Sequence, residues 1–251
     1  MSIQSPPETP IKCILLDIEG TTTPIDYVYK ILFPYARARV DDYLDKHAAT
    51  EEVRAIIAAL AEEHAADTRN ALAPPPLSDD SPEENLRSIK AYAHWLMDRD
   101  RKSTPLKSLQ GMIWESGYQN GEIRSQVFED VPPNLKRWHE LDKTICIFSS
   151  GSVLAQKLLF AYTSAGDLTK FIRDYFDTRI GSKTDMDSYR QIARALGITP
   201  SATIFVSDVS AELDAARHAG MPTLLCMRPG NHPQPATSTH EVIKDFDAIR
   251  I

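Results

Sequence analysis

Short apolar runs at the two ends of the chain enclose a long stretch of helical periodicity. The first run, residues 11–16, is too short for a helix and has no polar face, so it predicts a strand buried on both faces. Similar runs follow in the second half of the chain, over 144–148, 203–206 and 223–227, with a weaker candidate at 175–178. Segments with a helical pattern lie between these runs.

Strands that alternate with helices favour parallel βαβ units, which assemble into a doubly wound α/β sheet with a Rossmann-like core. Residues 25–126 lack strand patterns and carry helix starts instead. These starts are at Thr50, Ser81-Pro82 and Thr104-Pro105. We therefore expect an α/β core domain formed by 11–24 and 127–251, with an all-helical cap domain, 25–126, inserted after the first strand. An insert at this position could close over a site at the sheet edge as a lid.

Composition and charge are those of an ordinary globular protein and argue against several partners. The chain is 42% apolar, and its formal charge of -7 comes with no block of lysine and arginine, so we expect no nucleic-acid partner. No stretch approaches about 18 consecutive apolar residues, so we expect no membrane contact. Residues 1–10 hold three prolines and no apolar centre, which indicates a disordered tail rather than a secretory signal.

The three cysteines, Cys13, Cys146 and Cys226, lie in separate apolar runs. This placement is typical of reduced, buried thiols in a cytosolic protein and argues against a disulfide framework or a zinc site. It also argues against a nucleophilic cysteine, because a reactive thiol needs an exposed, electropositive setting. The seven histidines show no close ligand spacing, and we assign none of them a role.

Two acidic residues follow the first predicted strand: Asp17 at its carboxyl end and Glu19 two residues later. Ligands of open α/β sheets bind at this end of the strands. Gly20 and the threonines at 21–23 are typical of a tight turn whose free backbone N–H groups and hydroxyls can hold an anion. One hypothesis is that Asp17 is a nucleophile beside a phosphate and its metal. The alternative is a turn whose acids cap a helix.

Further polar residues follow other predicted strands and would meet Asp17 at the same edge of the sheet. Ser149 and Ser150 follow the second strand, Asp208 follows a later one, and Lys183 precedes a helix between them. Two aspartates and a backbone oxygen suit Mg²⁺, and a lysine ammonium adds the charge neutralisation that phosphoryl transfer needs. The simpler alternatives are helix caps for the serines, a turn for Asp208 and a surface position for Lys183.

These polar residues stand in an order that resembles a known family. The segments concerned are Asp17-Ile18-Glu19-Gly20-Thr21, Ser149-Ser150-Gly151, Lys183 and Ser207-Asp208. They are similar to the four motifs of the haloacid dehalogenase superfamily, and the likeness runs from residue 11 to about residue 230. Most phosphatases of that superfamily carry aspartate where this chain has Glu19. The longer strings at 16–25, 149–160, 176–181 and 228–231 resemble the enolase-phosphatase E1 family, also called acireductone synthase.

The resemblance implies a bifunctional enzyme of methionine salvage that needs one Mg²⁺ per subunit. Such an enzyme enolises 2,3-diketo-5-methylthiopentyl-1-phosphate and then removes the phosphate, through an aspartyl-phosphate, to give acireductone. The resemblance also implies a monomer that is cytoplasmic and, in eukaryotes, also nuclear. The competing hypotheses are another Mg²⁺-dependent phosphatase or a dehalogenase of the superfamily, and a non-enzymatic binding module.

The resemblance also assigns roles at the metal and the nucleophile. Asp17 would attack phosphorus in line, and Lys183 would balance the charge of Asp17 and of the phosphate. Mg²⁺ would be held by Asp17, by Asp208 and by residue 19. Superfamily precedent suggests that Glu19 contributes its backbone carbonyl to the metal.

The remaining roles concern the phosphate, the proton and the substrate tail. Ser149 and the backbone of Ser150 would bind the phosphate. Glu19 would protonate the leaving oxygen, later activate water and, as a further hypothesis, move the α-proton in the enolisation. The thioether tail needs an apolar pocket, although aromatic residues at helical spacing are more often core. The candidates are Tyr27, Phe33, Trp95, Met112 and Trp114.

Overall fold

The computed structural model describes residues 10–234 and 239–251, so the expected N-terminal tail lies outside the described residues except for Pro10. Within these ranges the chain divides into two compact units. The α/β unit comprises Met1–Val28 and Arg124–Ile251, as far as they are described, and the helical unit comprises Tyr29–Ile123. The functional division into a core and a cap stays a prediction.

The α/β unit is built on a parallel six-stranded sheet in the order β3-β2-β1-β4-β5-β6. The strands are β1 (Cys13–Leu16), β2 (Thr144–Phe148), β3 (Asp174–Phe176), β4 (Thr203–Ser207), β5 (Thr223–Cys226) and β6 (Glu241–Ile243). The helices of this unit are α1 (Ile25–Tyr27), α6 (Val131–Glu140), α7 (Val153–Ala161), α8 (Met186–Leu196) and α9 (Ser210–His218). This arrangement confirms the doubly wound α/β fold expected from the strand and helix pattern.

Strand β1 is central and fully buried, as its continuous apolar pattern predicts. It pairs with β2 on one side and β4 on the other. Its side chains alternate between the two faces: Ile14 and Leu16 pack in the cluster that contains Trp138 of α6. Cys13 and Leu15 pack on the opposite face, in the cluster that contains residues of α8 and α9. Helices therefore cover both faces, and the residue after β1 lies at the middle of the carboxyl edge.

The helical unit contains α2 (Phe33–His47), α3 (Glu51–Arg69), α4 (Pro82–Asp98) and α5 (Thr104–Gln119). Two of the expected N-caps are present, since the hydroxyls of Thr50 and Ser81 accept backbone N–H groups of the first turns. The third cap differs from the prediction, because Ser103, not Thr104, accepts the N–H of Leu106 at 3.2 Å. The helix expected from residue 25 begins as α1 and a π-helical turn, Val28–Leu32, before α2.

Several smaller features bear on the sequence analysis. Strand β6 lies in the ambiguous C-terminal stretch and was not predicted there. Gly197 ends α8 in the left-handed conformation that favours glycine at a helix C-terminus. The cysteines at 13, 146 and 226 are buried and free, as predicted. Among the described residues, no helix has both the length and the apolar character needed to cross a membrane.

Candidate active site

The carboxyl ends of three neighbouring strands carry the residues singled out by the sequence. Asp17 follows β1, Ser149 follows β2 and Asp208 follows β4. All three residues are buried, Asp17 with only 2% of its surface exposed. Lys183 lies on the connection from β3 to α8, where the hydroxyl of Tyr189 donates a hydrogen bond to its carbonyl oxygen at 2.6 Å.

The ammonium of Lys183 lies between two carboxylates. It contacts Oδ1 of Asp17 and lies 2.7 Å from Oε2 of Glu212. Burial lowers the pKa of this ammonium, but the negative charges of Asp17 and Glu212 outweigh burial and raise the pKa above its ordinary value. Lys183 is therefore a buried, charged residue with 8% of its surface exposed, and not a surface lysine.

Glu212 is a site residue that the sequence analysis missed. Its carboxylate also accepts a hydrogen bond from Ser207 at 2.9 Å. Burial first, and then the charge of Asp17, raise the pKa of Glu212 to about 7, although Lys183 acts in the opposite direction. A sequence signal exists in hindsight, because an acid four residues after Asp208 falls in the first turn of α9 and faces the same strand end.

Glu19 lies beside the serine that follows β2. Ser149 donates a hydrogen bond to Oε2 of Glu19 at 3.4 Å and accepts one from the N–H of Gly151 at 3.1 Å. Burial and then the charge of Asp17 raise the pKa of Glu19 above its ordinary value, which favours the protonated form of this carboxyl. Ser150, in contrast, is exposed.

The loop after β1 does not offer the free N–H donors that its composition suggested. The N–H groups at positions 21, 22 and 23 all donate to the carbonyl oxygen of Ile18, at 3.1, 2.9 and 2.9 Å. The N–H of Gly20 donates to Thr23, and the hydroxyl of Thr22 is shared between the carbonyls of Asp17 and Ile18. The expectation that these N–H groups hold an anion is therefore wrong, since the loop uses them to bond to itself.

Gly20 brings this loop into close contact with Asp208. Its φ of +73° lies in the left-handed region that favours glycine. A Cβ atom at this position would lie 2.3 Å from Oδ2 of Asp208 and 3.0 Å from Oδ1 of Asn231. Only a glycine leaves room for the Asp208 carboxylate against the loop backbone.

The polar groups of this edge fit a divalent cation. Four carboxyls, those of Asp17, Glu19, Asp208 and Glu212, surround one ammonium, so negative charge is in excess. Burial and the charges of Asp17 and Glu212 raise the pKa of Asp208 to about 7, and the opposing effect of Lys183 does not offset them.

A backbone oxygen completes the possible ligand set. No backbone N–H within the described chain donates to the carbonyl oxygen of Glu19. The described residues contain no group of three or more His, Cys, Asp or Glu side chains arranged to hold a metal ion. Two carboxylates with a backbone carbonyl are the hard oxygen ligands that Mg²⁺ prefers, and this chain provides them in Asp17, Asp208 and Glu19.

Three of the five candidates for a tail pocket have ring or hydrogen-bond partners within the helical unit. Tyr27 is buried in the α/β unit. In the helical unit the rings of Phe33 and Trp114 lie 6.1 Å apart, and the indole N–H of Trp114 donates to the carbonyl of Leu32 at 2.8 Å. Trp95 stacks on Tyr92 at 5.7 Å. Met112 is half-buried. A role in binding the tail stays a prediction for all five.

Comparison with known proteins agrees with this geometry. The haloacid dehalogenase-like hydrolase family matches residues 11–220. Enolase-phosphatase E1 of Synechococcus elongatus is 52% identical over 221 residues, which cover 88% of this chain and 90% of that protein. Enolase-phosphatase E1 of Methylococcus capsulatus is 45% identical over 245 residues, which cover 96% and 98% of the two chains.

A solved structure shares the fold over nearly the whole chain. The UTR4 protein of Saccharomyces cerevisiae superimposes with a TM-score of 0.77 at 35% identity, over 95% of this chain and 100% of that chain.

Proposed function

The chain belongs to the enolase-phosphatase E1 family of haloacid dehalogenase-like hydrolases, and from this membership we propose that it converts 2,3-diketo-5-methylthiopentyl-1-phosphate to acireductone. The chain is thus a phosphatase that first enolises its substrate, a reaction of methionine salvage. The observation that carries the proposal is the contact between Lys183 and Asp17. A second acid, Glu19, lies on the same loop as Asp17.

Asp17 is the proposed nucleophile. Its carboxylate attacks phosphorus in line with the bond to the leaving oxygen and forms an aspartyl-phosphate, which water later hydrolyses. The ammonium of Lys183 contacts this carboxylate and holds it in place through a charge-assisted hydrogen bond. The same ammonium lies where it can balance charge on the phosphate as it is transferred.

Glu19 is the proposed acid and base. It lies two residues after Asp17, and burial and the charge of Asp17 raise its pKa, which favours the protonated carboxyl that can donate to the leaving oxygen. Once that proton is gone, the carboxylate can take a proton from the attacking water. We propose the same group for transfer of the α-proton in the enolisation, because its carboxylate lies within hydrogen-bond reach of Ser149, the proposed phosphate ligand.

The phosphate is assigned to the carboxyl end of β2, the strand that neighbours β1. The hydroxyl of Ser149 donates to Glu19 at 3.4 Å in this structure and would turn its proton to a bound phosphate, while its oxygen accepts the N–H of Gly151. Ser150 is the second proposed ligand, through its backbone, next to the N-terminal end of α7. Since the N–H groups of the threonine loop are used internally, these serines and Lys183 are the donors that support phosphate binding.

Asp17, Asp208 and the carbonyl oxygen of Glu19 are the proposed ligands of one Mg²⁺ per subunit. When bound, Mg²⁺ supplies charge neutralisation for the phosphate and polarises substrate oxygens. Membership of the family also supports the proposal of a monomeric, cytoplasmic enzyme, with nuclear localisation in addition if the source is eukaryotic.

The proposal is tested by supplying the diketone phosphate with Mg²⁺ and following ultraviolet enol absorbance together with free phosphate. We expect an enol signal that precedes phosphate release, and no release after chelation with EDTA. Phosphate release without an enol signal would leave only a generic phosphatase, and release that survives EDTA would contradict the metal. Binding without either signal would favour a non-enzymatic module.

A further inference from the structure

The turn after β5 reaches across the sheet edge to the loop that carries Asp17 and Glu19, yet the proposed mechanism gives it no role. The amide of Asn231 donates to the carbonyl oxygen of Gly20 at 2.9 Å and to that of Cys226 at 3.1 Å. Both amide protons are thus used, and they tie the end of β5 to the peptide that follows Glu19.

Arg228, three residues earlier in the same turn, binds the next carbonyl of the loop. Its Nε donates to the carbonyl oxygen of Thr21 at 3.2 Å. The other guanidinium nitrogens bind both carboxylate oxygens of Asp130, each at 2.8 Å. The group also lies between the rings of Phe128 and Phe246, at 4.5 and 4.9 Å. With 6% of its surface exposed, Arg228 is fixed on every side.

Hydrogen bonds from residues outside the Gly20 loop therefore add to those within it. Asn231 binds the carbonyl of Gly20, Arg228 binds that of Thr21, and the N–H of Phe128 binds that of Thr22 at 3.0 Å. The carbonyl of Glu19 is the exception, since no backbone N–H of the described residues donates to it. Fixing the three carbonyls after Glu19 determines the direction in which its own carbonyl points.

We infer that Asn231, supported by Arg228, is a positioning residue that holds the Gly20 loop against the carboxylate of Asp208 and so sets the affinity of the site for a divalent cation. Oδ1 of Asn231 and Oδ2 of Asp208 lie 3.0 and 2.3 Å from the point where a Cβ on Gly20 would sit. A loop released by loss of the amide would move relative to both Asp208 and the Glu19 carbonyl. The inference rests on the proposed function, because it assigns the metal to these oxygens.

The test measures metal binding directly on the full chain. Asn231→Ala is compared with the wild type by electron paramagnetic resonance titration with Mn²⁺ alone. Asn85→Ala is the matched control, because Asn85 also donates two amide hydrogen bonds, to the carbonyl oxygen of Ser78 and to Asp79, at 3.2 and 2.9 Å, and belongs to the helical unit. We expect the Kd for Mn²⁺ to rise about tenfold in Asn231→Ala and to stay at the wild-type value in Asn85→Ala.

A second variant and a second readout separate positioning from simple loss of stability. Arg228→Lys keeps the charge beside Asp130 but cannot retain the full set of guanidinium bonds, so its Kd for Mn²⁺ is also expected to rise. Phosphate release at subsaturating Mg²⁺ should fall in Asn231→Ala and Arg228→Lys and recover as Mg²⁺ approaches saturation, and it should remain unchanged in the control variant at every Mg²⁺ concentration. If Asn231→Ala has a lower Tm but binds Mn²⁺ with the same Kd as the wild type, the inference is overturned and the proposed function is not. Absence of Mn²⁺ binding by the wild type would overturn both the inference and the proposed function.

Discussion

Replacing Asp208 by asparagine is expected to stabilise the metal-free protein at neutral pH. Burial, together with the charges of Asp17 and Glu212, raises the pKa of Asp208 from the ordinary 3.8 to about 7 in the folded state. The folded protein therefore binds this proton more tightly than the unfolded chain does. Tighter binding of this proton stabilises the folded protein. This stabilisation is fully present below about pH 4 and is lost as the pH rises through about 7.

The size of the effect follows from the two pKa values. Each tenfold difference in proton affinity corresponds to about 1.4 kcal/mol, so ionising Asp208 in the folded protein costs about 4 kcal/mol. An asparagine never ionises and avoids this cost. Relative to the wild type, Asp208→Asn should gain about 1 kcal/mol at pH 4.5 and about 3–4 kcal/mol at pH 7.5 in the free energy of unfolding.

Urea denaturation in EDTA between pH 4.5 and 8 measures this difference, and the titration is then repeated with Mg²⁺. At a concentration about 100 times its Kd, Mg²⁺ should stabilise the wild type by about 2.7 kcal/mol and Asp208→Asn by much less. Asp42→Asn is the matched control, because it removes the same charge from an exposed position on α2. Its free energy of unfolding should follow the wild type at every pH.

Parallel pH profiles for Asp208→Asn and the wild type in EDTA would refute the reasoning, since they would mean that Asp208 carries no excess charge cost when folded. Equal stabilisation of the two proteins by Mg²⁺ would refute the assignment of Asp208 as a ligand. The two results are independent, so the electrostatic argument and the metal assignment can fail separately.

Three substitutions in the loop after β1 separate chemistry from folding. Asp17→Asn should lower phosphate release at least about 10³-fold and prevent phosphate labelling of the chain, and a labelled Asp17→Asn chain would contradict the nucleophile assignment. Glu19→Gln should slow release about 10²–10⁴-fold, because an amide cannot transfer the proton; an unchanged pH–rate profile would contradict this role. Gly20→Ala should lose Mg²⁺-dependent activity, since its Cβ would lie 2.3 Å from Asp208, whereas Gly121→Ala, at a φ of +72° with open space around it, should keep full activity. Equal activity of the two alanine variants, measured as phosphate release, would contradict the steric argument.

The fold and the strand-end residues could be predicted because their signals are local. The apolar run of β1 indicates a strand buried on both faces without knowledge of its partners. Parallel strands place their carboxyl ends at one edge, which is sufficient to bring Asp17, Ser149 and Asp208 to neighbouring strand ends. Helix caps such as Thr50 and Ser81 are equally local, since they depend on the next three residues.

Other features depend on contacts that a sequence pattern does not contain. Strand β6 has three residues, two of them exposed, which is too short for a periodic signal. Glu212 belongs to the site because its carboxylate forms an ion pair with Lys183, which is distant in the chain but close in space. The direction of the N–H groups after Asp17 depends on the backbone path of the turn, so their bonds to Ile18 could not be inferred from composition.

The internal bonding of that loop has a consequence for the order of binding. The N–H groups of residues 20–23 are used within the loop, at Ile18 and Thr23, while Asp17 and Glu19 bring negative charge to the site. Lys183, the cation in contact with Asp17, is already shared with Glu212 at 2.7 Å. An anionic phosphate would therefore meet excess negative charge unless a divalent cation binds first. We expect inorganic phosphate to bind at least about tenfold more tightly with Mg²⁺ than in EDTA, measured by calorimetry. In Asp208→Asn this dependence should be largely lost. Equal phosphate affinity of the wild type in the two conditions would show that Lys183 and the serines suffice without the cation.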